Sequence, residues 1–101
     1  MAYKIIWAPE AERTFDEIIE YLTTEWTERE IKIFIRETEK TISIVSKNPF
    51  LFRNSEKEGV HEAVIMRKNL LFYDVSRKEK EIELLLFWQT QMNPDSKPFS
   101  K

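Results

Sequence analysis

From Glu81 the chain reads EIELLLFWQTQMNP, and Ile82, Leu84, Leu85, Leu86, Phe87 and Trp88 leave almost no position for solvent. Such a run fits a strand that is apolar on both faces, in the middle of a sheet with cover on at least one side. It turns polar within one residue, at Gln89-Thr90-Gln91, and stops at Asn93-Pro94. The polar end therefore falls at the rim of the core. Upstream, Tyr3 to Trp7 (YKIIW) has the β-branched and aromatic content of a short strand. Pro9 suits the first turn of a helix, and Ala11, Phe15, Ile18, Ile19 and Leu22 share one face at helical spacing. That helix is predicted from Pro9 to about Thr23. Thr27-Glu28-Arg29-Glu30 is a capping box that opens a second helix. Its stripe is Ile31, Phe34, Ile35, Thr38, Ile42 and Val45, and it ends near Lys47, before Asn48-Pro49.

A link of about four residues between the two predicts an antiparallel helical hairpin. Pro49 to Glu58 is a loop that begins apolar, Phe50-Leu51-Phe52, and ends charged. Gly59 leads into a strand at Val60 to Met66, Arg67-Lys68-Asn69 is a tight turn, and Leu70 to Ser76 is the next strand. Arg77 to Lys80 is a charged hairpin tip. The order β-α-α-β-β-β predicts a two-layer α+β fold. An N-terminal strand and a helical hairpin pack on a mainly antiparallel four-stranded sheet, with the run from Ile82 to Trp88 as its central strand. Residues 1–94 read as a single domain and 95–101 as a loose tail.

Composition narrows the chemistry. A single Gly, at position 59, excludes Gly-rich phosphate loops, and the lack of Cys excludes disulfides and thiol catalysis. The N-terminal stretch reads as neither signal peptide nor membrane span. With 16 Lys and Arg against 18 Asp and Glu, the net charge of -2 is low for a general polyanion binder. The lone histidine, His61, alternates with Ala63 and Ile65, and reads either as a hydrogen-bonded structural residue or as a binding residue. One histidine without spaced carboxylates gives no metal site. Tyr73 shares a face with Leu71 and Val75, as a core aromatic with its hydroxyl at the rim or as a group in an RNA site. Arg67 and Lys68 are a solvated turn or a contact to a phosphate or an acidic partner. Trp88, Gln89, Gln91 and Asn93 are a capped strand end or a recognition surface. Ile33, Ile44 and Phe50-Leu51-Phe52 add apolar surface that suits a partner or a homodimer.

Taken together, YKIIWAPEAERTFDEIIEYL, IKIFIRETEKTISIVSKNP, GVHEAVIMRKNLLFYDV and FWQTQMNP resemble, in order and spacing, the ParE/RelE superfamily of toxins from bacterial type II toxin–antitoxin modules, often called plasmid stabilisation proteins. The resemblance implies a small cytosolic toxin without a cofactor, neutralised by a cognate antitoxin. RelE-like members cut mRNA on the ribosome; ParE-like members poison DNA gyrase. RelE-like members typically place Arg and Lys on the middle and last strands, often with a Tyr or His near the end. Here Leu70 stands where Arg is usual, and Gln89-Thr90-Gln91 stands at the end of the last strand. A glutamine does not stabilise a phosphorane as a guanidinium does. The residues thus favour a binding toxin directed at gyrase over an enzyme. Two alternatives remain open: a RelE-like endoribonuclease using His61, Arg67, Lys68 and Tyr73, and a degenerate, non-toxic module that binds antitoxin.

Overall fold

The computed structural model describes residues 2–57, 59–66, 69–92 and 97–99. The elements follow the expected order: β1 (Lys4–Trp7), α1 (Pro9–Glu25), α2 (Glu28–Lys47), β2 (Val60–Met66), β3 (Asn69–Ser76) and β4 (Glu81–Gln89). Pro9 begins α1 because its missing N–H leaves no donor unpaired there, and Glu10 and Glu12 meet the positive end of the helix dipole. The capping box of α2 is complete. Thr27 Oγ1 accepts from the Glu30 N–H at 3.2 Å, and the Glu30 carboxylate accepts from the Thr27 N–H at 3.0 Å. Only Trp26 and Thr27 separate the helices, a tighter link than the sequence suggests. The Trp26 ring closes this corner edge-on against Phe34.

The sheet has the order β1-β4-β3-β2. β1 lies parallel to β4, pairing Lys4–Trp7 with Glu81–Leu84, while β4, β3 and β2 run antiparallel. β4 is therefore internal, as its composition predicts. The register between β3 and β4 slips once: Phe72 faces Leu86, but Tyr73 faces Leu84, leaving Leu85 as the extra residue of a bulge. The slip explains the uninterrupted apolar run. Ile82, Leu84 and Phe87 enter the core beneath the helices, whereas Leu86 and Trp88 join a second apolar cluster with Val60, Leu70 and Phe72.

α1 packs on β4 and α2 on β2. Ala11, Ile18 and Leu22 from α1 and Phe34 and Val45 from α2 are buried against Ala63, Leu71, Tyr73, Ile82, Leu84 and Phe87. Four aromatic rings carry this core across the layers: Trp7 stacks on Phe87 at 5.2 Å, and Phe15 lies 5.1 Å from Phe87 and 5.9 Å from Phe34. Ile33 and Ile44 are half-buried. Of the tail expected to be loose, only residues 97–99 are described. There Phe99 packs 5.2 Å from Phe72 on the outer cluster, and Lys97 reaches Glu62.

Replacing Thr27 by Ala removes the hydroxyl side of the capping box. It should lower unfolding stability by about 1 kcal/mol, read from the urea midpoint at unchanged slope.

Candidate functional site

The sequence candidates fall into two groups along β3. His61 and Tyr73 face each other across the β2–β3 ladder, and their rings stack at 5.2 Å and 15°. Trp88 and Gln89 pair with Leu70 and Asn69 at the start of β3, four residues and roughly 13 Å along the strand. Arg67, Lys68 and Asn93 lie outside the described residues.

Both groups of the first pair are committed to backbone. Tyr73 is fully buried, and its hydroxyl donates to the Pro49 carbonyl at 2.8 Å. Burial pushes its pKa up to about 12, so the phenol stays neutral through the physiological range. His61 Nδ1 sits 3.1 Å from the Phe52 carbonyl. A carbonyl can only accept, so Nδ1 carries the proton. The ring is 9% exposed, between Tyr73 and Phe50. The pair thus clamps the loop after α2 onto the sheet. The sequence left the structural and functional readings open, and the contacts made here are structural.

The end of β4 is similarly engaged. Gln89 is 2% exposed, and its Oε1 accepts from the backbone N–H groups of Gln91 and Met92, capping the turn that ends the strand. Trp88 belongs to the outer apolar cluster, and Gln91 is exposed. β1 pairs only as far as Leu84, so the next edge of β4 meets α1 instead. There the Thr14 hydroxyl accepts the Phe87 N–H at 2.9 Å. A cavity of about 300 Å³ opens beside this bond, with Glu10, Arg13, Glu17, Trp88, Gln89 and Met92 in its wall. The Arg13 guanidinium is held by Glu10 and Glu17 on either side. Its hydrogen bond holds the Glu10 carboxyl below the usual range.

The outer face of the sheet carries residues that the sequence analysis did not single out. Glu62 is buried, and its carboxylate accepts from Arg53 at 2.8 Å and from Lys97 at 3.2 Å. Burial works against its ionisation, but the hydrogen bonds from Arg53 and Lys97 outweigh that cost and hold its pKa below the ordinary value of 4.5. A lone carboxylate among the apolar residues of VHEAVIM was the available signal; its partners lie too far away in sequence to be paired by inspection. Nearer the hairpin tip, Asp74, Glu81 and Glu83 share a shallow cleft of about 250 Å³ with Ile6 and Ser76. Asp74 and Glu83 are direct cross-strand neighbours. A cleft of this sign repels a phosphodiester. Among the described residues no group of three His, Asp or Glu side chains is placed to hold a metal ion. Nor is any described helix long and apolar enough to cross a membrane.

The strand–hairpin–meander fold is shared with chains of two solved toxin–antitoxin systems. A chain of the chromosomal ParDE system of P. aeruginosa superposes with a TM-score of 0.70 at 14% identity, covering 87% of this chain and 96% of that one. A chain of the RelBE2 toxin–antitoxin complex of Mycobacterium tuberculosis gives 0.60 at 14% identity, covering 88% and 99%. At that identity the likeness is one of fold. No curated protein matches the chain in sequence. Residues 5–94 match the family described as the ParE toxin of type II toxin–antitoxin system, parDE, and the chain belongs to that family.

Two outcomes follow from these contacts. Changing Tyr73 to Phe should cost about 1 kcal/mol of stability through the lost bond to Pro49. It should also delete a step near pH 12 from the phenolate absorbance titration. The raised pKa means that the stabilisation from Tyr73 is intact below its unfolded value near 10 and is lost as pH rises towards 12. For Glu62 the sign is opposite. Its depressed pKa makes the Arg53 and Lys97 contacts stabilising above 4.5, and that stabilisation is lost as pH falls through the depressed value. The stability difference between wild type and Glu62→Gln, measured by urea unfolding, should shrink as pH drops below 4.5.

Proposed function

We propose that this ParE-family toxin acts by binding a DNA topoisomerase such as gyrase, not by cutting RNA, and that a cognate antitoxin protein neutralises it. The observation that carries this reading is the engagement of His61 and Tyr73. RNA cleavage through the 2′-hydroxyl needs a base, an acid and cations around the phosphate. His61 and Tyr73, the candidates for moving a proton in such a site, are packed against each other and bonded to the Phe52 and Pro49 carbonyls. The described end of β4 offers amides, and the cleft on the outer face offers carboxylates. A toxin that works by occupying a protein surface needs no base, acid and cations gathered around a phosphate. The antitoxin partner accords with the complexes in which proteins of this fold are found.

Purified protein added to gyrase should block supercoiling of relaxed plasmid. Added to ribosomes programmed with mRNA, it should leave the message intact. Position-specific cuts that vanish with Tyr73→Phe or with substitution of Arg67 would establish the endoribonuclease reading in its place. Harmless expression in several bacterial hosts, with neither activity, would identify a module that retains only antitoxin binding.

A further inference from the structure

The loop after α2 displays two large apolar side chains to solvent and is held rigid while doing so. Phe50 is 44% exposed and Leu51 66%, while Pro49 and Phe52 on either side point inward. Five contacts fix the backbone between them. The Leu51 N–H donates to Asn48, Tyr73 donates to the Pro49 carbonyl, and His61 donates to the Phe52 carbonyl. The Glu62 N–H donates to the Arg53 carbonyl, and Asn54 bridges to His61. An apolar pair on a flexible loop would fold back onto the surface. Here the chain's lone histidine and its fully buried tyrosine hold the loop so that it cannot.

Charge defines the rim. The Arg77 guanidinium lies 4.1 Å from the centre of the Phe50 ring, which brings the β3–β4 hairpin tip beside the loop. Lys78 and Lys80 are exposed on the same tip, with the exposed Glu79 between them, so the tip carries a net positive charge. Among the described residues, no carboxylate pairs with Arg77, Lys78 or Lys80. An immobilised aromatic–aliphatic pair beside unpaired cations is the composition of an interface anchor: apolar centre, charged rim, little ordering entropy left to lose.

We propose that Phe50, Leu51 and Arg77 form a docking surface for an acidic, amphipathic segment of a partner protein. Its apolar side chains would cover Phe50 and Leu51, and its carboxylates would meet Arg77, Lys78 and Lys80. A polypeptide fits better than a single-stranded nucleic acid. Phe50 already carries Arg77 over its ring and packs against His61, and Leu51 has no π face on which a base can stack. The surface is independent of the identity of the toxin's target, so it stands or falls separately from gyrase inhibition.

A random peptide library panned on the intact protein, counter-selected on the double variant Leu51→Asp/Arg77→Glu, tests the surface. Enriched peptides should combine Asp and Glu with Leu, Phe or Trp and should weaken with added salt. They should lose about tenfold or more in affinity for either single variant. Both side chains are exposed, so the variants should melt at the wild-type temperature; Leu51→Ala and Arg77→Ala provide the same test should either charged variant fold poorly. The proposal is overturned if no peptide is enriched, if enriched peptides lack acidic residues, or if they bind the variants as well as wild type. It is equally overturned if a labelled oligouridylate, and no peptide, binds in a manner abolished by Arg77→Glu.

Discussion

The fold depends on one constraint: β4 must be covered on both faces and along both edges. From Leu84 to Trp88 its residues are too apolar to leave either face to water. β3 closes one edge along its whole length, and β1 closes the other only from Glu81 to Leu84. The remainder is closed by a helix side chain, Thr14, in place of a strand. One face is filled by the helical hairpin. The other gathers Val60, Leu70, Phe72 and Trp88 into a smaller cluster on which Phe99 packs. The bulge at Leu85 reconciles these demands, because it lets one unbroken apolar run serve two cores.

Most of this architecture was legible in the sequence, and for identifiable reasons. Helix boundaries follow from Pro9, from the capping box at Thr27 and from Asn48-Pro49, each a local signal with a local mechanism. The strands announce themselves by composition and turns. The register slip was not legible, since a run of six apolar residues reads the same with or without a bulge. Nor was Glu62, whose partners Arg53 and Lys97 come from a loop and from beyond the last strand. The candidate site was readable as residue types and not as roles. Alternation places His61 and Tyr73 on the core-facing side, but nothing local says that each would find a carbonyl of the same loop.

The electrostatic layout has two sides of different character. α1 and the outer cleft carry carboxylates, with Arg13 and Glu62 each neutralised inside small networks. At the hairpin tip, among the described residues, the cations have no carboxylate partner, and they lie beside exposed Phe50 and Leu51. A near-zero net charge thus hides a directional surface. Partner choice in such a molecule depends on where charge sits more than on how much there is.

The parallel pairing of β1 with β4 has a kinetic consequence. Lys4–Trp7 finds its strand partner in Glu81–Leu84, almost the full length of the domain away. Both helices are made long before that partner exists, yet Trp7 cannot stack on Phe87, nor Thr14 cap its amide, until β4 has emerged. During translation the sheet therefore assembles last at its centre, and loop closure over this distance slows the final step. The growing chain lacks its finished surface until β4 is in place, so any protein that recognises the folded sheet meets it only after synthesis has passed β4.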